Sequence, residues 1–314
     1  MDNRDVTPAP AQLRELRWPA ELADVGTADR VILASAAVGL NAHGAQVIRQ
    51  AENQIWRLPA ESTVVRLAPR DRLESATREV RVARWLAHNS IRAVVPAEVD
   101  QPVELADWVA TFWEEVPSHE HGTVADVARA LKELHALTPP SFELGALDPF
   151  VRIPERLAAA ALPSEDRRWL LDLHADLADQ WAAGLPPGLT HRAVHGDAWP
   201  GNIVRIDGNE WVLMDFERFS HGPPEWDLAS TAVRTRTTGA VTESEYAEFC
   251  NQYGHDVTEW AGYDLLARAR ELRMTTYAAQ HAASNPQWQV QAQHRVDCLR
   301  GRCGPRPWNW PGIL

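Results

Sequence analysis

Apolar residues recur along this chain with two different periods. From Arg30 to Arg70 they come in short bursts, Val31-Ile32-Leu33, Ile55-Trp56-Arg57-Leu58 and Val64-Val65-Arg66-Leu67, separated by Gly, Asn and charged residues. Bursts of that length bounded by turn formers predict the strands of a small antiparallel sheet. At about 73–88 the period becomes helical, and Glu79 shares one face with Val82, Ala83 and Leu86. A carboxylate on an apolar stripe needs a partner, which singles out Glu79. A further strand-like run, Trp108 to Trp113, ends in Glu114-Glu115.

Beyond it helices dominate. Thr123-Val124-Ala125-Asp126 has the form of a capping box. Val124, Val127, Leu131 and Leu134 form one stripe, Leu170, Leu173, Leu177 and Trp181 a second, and Tyr246, Phe249, Cys250 and Tyr253 a third. One interruption stands out: Ile203–Ile206 and Trp211–Met214 flank Asp207-Gly208-Asn209-Glu210, the signature of a β-hairpin. The expected architecture is α+β and two-lobed, with a small N-terminal antiparallel sheet lobe carrying one helix. A larger, mostly α-helical C-terminal lobe carries the hairpin. The expected division is a tail over 1–28, a first lobe over 29–118 and a second over 119–314. In the tail, Pro8, Pro10 and Pro19 mix with charges.

The 314 residues suffice for two lobes, and no run of about 18 apolar residues is present to span a bilayer. The opening Met1-Asp2-Asn3-Arg4-Asp5 is charged with no apolar stretch behind it, so a cytoplasmic location is expected. A formal charge of −12 disfavours nucleic acid as partner, because binding phosphates requires surplus Lys and Arg on one surface. It suits a cationic small substrate only weakly. The acidic positions Glu225, Glu243, Glu245, Glu248, Glu259 and Asp264 are expected mostly as a solvated face. Of the 14 Trp residues, Trp199 and Trp226 are the better candidates for contact with a cation. Cys298 and Cys303 lack a second pair or a His at zinc-ligand spacing, so with Cys250 they are expected as buried or free thiols.

The chemistry-bearing stretch is His195-Gly196-Asp197-Ala198-Trp199-Pro200-Gly201-Asn202, which feeds into the hairpin, with Asp215 at the end of the second strand. A turn centred on Gly208 makes Asn202 and Asp215 cross-strand neighbours at the open end. A carboxylate and an amide oxygen, with waters and substrate phosphates, are what Mg²⁺ prefers. A hydroxyl attacking a phosphate needs its proton received while metal and cationic groups hold the transferring charge. Asp197 fits the base and Arg66 a clamp.

His195-Gly196-Asp197 with Asn202, then Asp215-Phe216-Glu217, then Trp226-Asp227-Leu228-Ala229, resembles the aminoglycoside phosphotransferase and choline kinase family of the protein-kinase-like fold. The resemblance implies that Asp197 is the catalytic base, that Asn202 and Asp215 bind Mg²⁺, and that Asp227 buttresses the loop. It extends over residues 30–310, with Glu52–Leu58 and Val64–Leu67 as nucleotide-lobe strands, Glu79 as the helix-borne glutamate, and Leu134-His135 also familiar. Two departures stand out. Arg66 occupies a position where many relatives carry Lys, replacing a point cation by a fork. Gly39-Leu40-Asn41-Ala42-His43-Gly44 offers two glycines but no full phosphate-loop pattern, so Gly39 and Gly44 are nucleotide-binding candidates on that fragment alone.

Taken singly, Asp197, Asn202 and Asp215 read as turn residues; their joint spacing with the hairpin and Asp227 favours function. His195 reads as structural, holding the loop. Glu79 and Arg66 read as a desolvated pair rather than a solvated one. Glu217 stays open between binding metal, orienting the loop and facing solvent. The reading is a small-molecule kinase that moves the γ-phosphoryl of ATP or GTP, with Mg²⁺, onto a hydroxyl of a small metabolite or antibiotic. The alternatives are a non-catalytic nucleotide-binding interaction module and a metal-dependent phosphoesterase. The identity of the acceptor and the oligomeric state are not encoded in any motif.

Overall fold

The computed structural model describes residues 26–50, 53–206 and 210–312. The expected tail, apart from Gly26–Ala28, and the hairpin turn Asp207-Gly208-Asn209 lie outside the described residues. The chain forms two compact units: residues up to Glu120 with Arg205–Glu217, and His121–Val204 with Arg218 onward. Among the described residues no helix is long and apolar enough to cross a membrane.

Among the described residues the first element of the first unit is helix α1 (Thr27–Ala37). The burst Val31-Ile32-Leu33, expected as a strand, is therefore helical. Its buried positions, Val31, Ala34 and Ser35, have i, i+3, i+4 spacing and Ile32 is left 50% exposed. Three apolar residues in a row do not reveal a period. The sheet lobe thus carries α1 in addition to the expected helix.

Strands β1 (Gln46–Gln50), β2 (Gln54–Leu58), β3 (Thr63–Pro69), β4 (Val103–Leu105) and β5 (Trp108–Glu114) form an antiparallel sheet in the order β1-β2-β3-β5-β4. Alternation along β3 decides what faces where. Val65 and Leu67 join Trp56, Leu58, Ala110 and Phe112 in a core that also takes Val31 and Ala34 from α1. Ala68 packs instead with Val109 and Ala76, the last on helix α2 (Leu73–His88). Arg66 sits in register with Ile55 on one side and Thr111 on the other.

The second unit is helical: α3 (Val124–Ala136), α4 (Ile153–Ala159), α5 (Ser164–Ala182), α6 (Glu225–Arg236), α7 (Glu243–Tyr253), α8 (Tyr263–Ser284) and α9 (Gln289–Leu299). The Thr123 capping box forms as expected, with Thr123 Oγ1 accepting from Asp126 N. Leu170 and Leu177 are buried, with Leu173 and Trp181 against the same core. Helix α8 packs against α4, α5, α6 and α9, and 11 of its 22 residues are buried. Glu225, expected on a solvated acidic face, is instead fully buried at the start of α6, where its carboxylate accepts the backbone N–H of Leu189.

The remaining strands are short: β6 (Glu120–His121), β7 (Arg192–Val194), β8 (Ile203–Ile206), β9 (Glu210–Leu213) and β10 (Ser220–Gly222). Strands β8 and β9 stand where the hairpin was expected, neighbours in a small sheet. Within the first unit, Leu213 exchanges backbone hydrogen bonds with Arg92 and Val94 at 3.0 and 2.9 Å, and Arg92 lies over the Trp211 ring.

Candidate active site

In the first unit, a solvent-open cavity is lined by Asn53, Arg66, Arg72, Glu79, Thr111 and Glu217, among others. Residue alternation on β3 and the inward face of α2 bring Arg66 and Glu79 together, with Arg66 Nη1 2.5 Å from Glu79 Oε2. Glu79 is buried and Arg66 largely so, as expected of a desolvated pair. Ser75 Oγ donates to Glu79 Oε1 at 3.4 Å. Glu217 is drawn into the same group, 3.7 Å from Arg66 Nη2 and 3.6 Å from Arg72 Nη1, and its carbonyl accepts from Arg78 Nη2 at 3.2 Å. Three carboxylates therefore share this site, because Asp215 also acts on Glu79. Burial, then the charges of Asp215 and Glu217, push the Glu79 carboxyl up to about 7 against the pull of Arg66. Asp215 itself has a left-handed backbone (φ 62°), held two residues beyond the end of β9, with Glu217 N donating to its Oδ1 at 3.4 Å.

Gly39 and Gly44 have left-handed φ values of 77° and 74° but lie between α1 and β1. They do not line this cavity. Asn53, just ahead of β2, does line it. Asn53, Arg72 and Thr111 were not singled out in the sequence. Arg72 is a charge among other charges there, and its placement depends on the short turn preceding α2.

In the second unit, the loop His195-Gly196-Asp197 follows β7 and is fixed by Asp227. Asp227 is fully buried at the start of α6, accepting His195 N at 2.7 Å and Gly196 N at 2.8 Å. His135 of α3 places Nε2 3.1 Å from Asp227 Oδ2, and its Nδ1 is 2.9 Å from the Tyr253 hydroxyl. Burial opposes the Asp227 charge, but His135, His195 and Arg270 together hold its carboxyl below the usual range. Arg270 from α8 is buried with Nε donating to Trp226 O at 3.0 Å and its guanidinium 4.1 Å from the Trp226 ring centre. Trp226 Nε1 in turn donates to Gly196 O at 2.9 Å. The loop is thus held on both its N–H and its C=O groups.

His195 is buried, and its Nδ1 accepts from Asp197 N at 3.3 Å, an internal loop support. Asn202 Nδ2 donates to Asp197 O at 2.9 Å and approaches its Oδ2 at 3.4 Å. Arg234 of α6 lies 5.2 Å from the Trp199 ring centre; burial lowers its pKa while the charge of Asp197 acts the other way. Trp199 and Trp226, the aromatic candidates for a cation, therefore each face a guanidinium of the chain itself. Positive charge gathers nearby: burial, then Arg273, Arg218 and Arg152, push the Arg156 guanidinium down to about 10. His135 and Arg270 were missed as site supports, although Leu134-His135 carried a hint; both act across long sequence separations.

This loop chemistry can be set against known proteins. The family model of the phosphotransferase enzyme family matches residues 44–266. A search of curated proteins finds no match to the sequence. Solved structures similar in fold include amicoumacin kinase hAmiN in complex with AMP-PNP, Ca²⁺ and Ami, with 12% identity and TM-score 0.64 over 86% of this chain and 93% of that one. Spectinomycin phosphotransferase APH(9)-Ia, in complex with ADP and spectinomycin, has 14% identity and TM-score 0.63 over 91% and 97%. A choline/ethanolamine kinase family protein from Mesorhizobium loti has 17% identity and TM-score 0.60 over 87% and 94%. The chain belongs to the phosphotransferase enzyme family.

Proposed function

We propose that the chain transfers the γ-phosphoryl group of ATP, or of GTP, to a hydroxyl of a small metabolite or antibiotic, with Asp197 as the base. The observation that carries this reading is the clamp on the loop. Asp227 accepts the N–H groups of His195 and Gly196, Trp226 donates to the Gly196 carbonyl, and Asn202 donates to the Asp197 carbonyl and approaches its carboxylate. Such a clamp fixes one carboxylate, which is what a positioned base requires. In the transfer the acceptor O–H gives its proton to the Asp197 carboxylate, a new P–O bond forms to that oxygen, and the bond from γ-phosphorus to the bridging oxygen breaks, leaving the nucleoside diphosphate.

A divalent cation of the Mg²⁺ type would neutralise charge on the phosphates. Its assigned ligands are Asn202 and Asp215. The donor set fits: an amide that directs Nδ2 to Asp197 retains an oxygen for a hard cation, and Asp215 supplies a carboxylate. Arg66, fixed by Glu79, is assigned to the nucleotide phosphates, within residues 29–118; the acceptor is assigned to 119–314. Asp227 and His195 are assigned to loop support, and Glu217 to orienting Arg66 and Arg72. The placement of Gly39 and Gly44 outside the cavity lining gives no support to a phosphate role for them. The complexes of fold neighbours with AMP-PNP and Ca²⁺, and with ADP, agree with a nucleotide and metal requirement.

The test is release of ADP or GDP in the presence of Mg²⁺ over a panel of aminoglycosides, amino sugars, choline-like alcohols and macrolides. Acceptor-stimulated release that Asp197→Ala lowers by about 10³-fold or more, with nucleotide binding retained, is the expected result. Nucleotide binding without turnover on any acceptor would favour a non-catalytic binding module, and acceptor-independent phosphate release from monoesters a phosphoesterase.

A further inference from the structure

We infer that the second unit contains a metal site of the zinc class, built from His294, Cys298 and Cys303. The sequence spacing of the two cysteines displays no histidine partner, but helix α9 supplies one from the N-terminal side. His294 and Cys298 are four residues apart on α9 and so share a face. Helix α9 ends at Leu299, and the chain turns back through Gly301, whose φ of 74° suits glycine. Gly301 N donates to Cys298 O at 3.0 Å, and Arg302 N to Asp297 O at 2.9 Å. That turn delivers Cys303 beside the other two.

The Sγ atoms of Cys303 and Cys298 lie 3.7 and 4.0 Å from His294 Nδ1, and Cys298 Sγ lies 3.6 Å from Nε2. The three ligand atoms are all within 4.8 Å of one another. A tetrahedral zinc ion bonds sulfur at about 2.3 Å and imidazole nitrogen at about 2.0–2.1 Å, which sets ligand-to-ligand edges of roughly 3.5–3.8 Å. The cluster is therefore near the required spacing with small side-chain adjustments. The imidazole is also oriented: Nε2 lies 3.5 Å from the Trp308 carbonyl, the usual outer partner of a histidine that ligates through Nδ1. Cys298 is buried while Cys303 is half-buried, so an ion can reach the cluster from the Cys303 side. Binding releases a proton from each thiol to solvent, so uptake strengthens as pH rises.

The site would staple the C-terminal segment to the helices. That segment is already engaged: Arg306 makes a two-pronged ion pair with the buried Glu271 of α8 at 2.7 and 2.8 Å, and Trp308 N donates to Thr237 O at 2.7 Å. Cys303 stands between these contacts and α9, so a metal there ties the segment at its near end. Neither sulfur belongs to the proposed phosphoryl-transfer residues, and the site can be tested apart from turnover.

The whole chain, reduced and stripped with a chelator, is titrated with Zn²⁺ and with Co²⁺. One Zn²⁺ per chain, a thiolate-to-cobalt charge-transfer band with tetrahedral d–d bands, and a raised melting temperature are expected. The Cys298→Ser/Cys303→Ser double variant should lose all three and Cys250→Ser none. Should the double variant fold poorly, alkylation of the unaltered protein decides: Zn²⁺ should protect Cys298 and Cys303, and leave Cys250 reacting as before. Absence of stoichiometric uptake, unchanged uptake in the double variant, or a Cys298–Cys303 disulfide in place of metal binding would overturn the assignment.

Discussion

Glu79 illustrates how one residue can be read twice, first from its place on an apolar helical stripe and then from the charges it meets. Its carboxyl is raised to about 7 from an ordinary 4.5. Between those values the folded chain holds a proton that the unfolded chain has released, so the folded state binds more protons and stability falls as pH rises. The contribution is complete below 4.5 and is lost as pH passes through about 7. At about 1.4 kcal/mol per pKa unit it is on the order of 3 kcal/mol. Glu79→Gln should flatten the pH dependence of urea unfolding across that window. Equal slopes in the two proteins would show that Glu79 is ionised throughout. The carboxylate contributes a second effect in that it orients Arg66, so the same substitution should weaken nucleotide binding more at neutral pH than near pH 5.

At the scale of elements, the loop between β7 and β8 depends on one backbone conformation. Gly196 has φ of 83°, and a Cβ placed there would lie 2.3 Å from the carbonyl oxygen of Arg218. Left-handed strain costs about 1–2 kcal/mol for an ordinary residue, and the backbone clash adds to it. Gly196→Ala should therefore lower stability by at least about 2 kcal/mol in urea unfolding. It should also abolish turnover, since the same residue carries one N–H bonded to Asp227 and the carbonyl bonded to Trp226. Unchanged stability would mean the loop is not pinned as described. This clamp also marks how far the sequence could be read. Helix α2, the Thr123 cap and the strands β8 and β9 carry local signals of period and turn chemistry, and all were legible. Helix α1 was not, because three consecutive apolar residues fit a strand or a helix equally well until their partners in the core are known. Nor were the supports of Asp227, since His135 is 92 residues away along the chain, and Arg270 acts from yet another helix. Glu225 was misread for the same reason: its partner, Leu189 N, is distant in sequence.

For the whole molecule, the net charge of −12 is a poor guide to local chemistry. It argues against a polyanionic partner, yet Arg66, Arg72 and Arg78 cluster about the first unit's carboxylates, and in the second the charges of Arg152, Arg218 and Arg273 act on Arg156. Each unit has its own hydrophobic core, so each has the means to unfold as a cooperative transition of its own. Ligand linkage then becomes a way of locating the nucleotide. A ligand that binds only the folded form stabilises by about 2.7 kcal/mol at 100 times its Kd. In calorimetry, ATP with Mg²⁺ should raise the transition of the unit that holds Arg66 and Glu79 by a few degrees. Arg66→Ala should remove most of that rise whether or not metal is present, because it deletes a cation assigned to the phosphates. Asp215→Asn should behave differently, leaving the metal-free nucleotide effect while cancelling the increment that Mg²⁺ adds. If the Mg²⁺ increment survives in Asp215→Asn, the metal is held by other groups, and the assignment of Asp215 fails even though that of Arg66 stands.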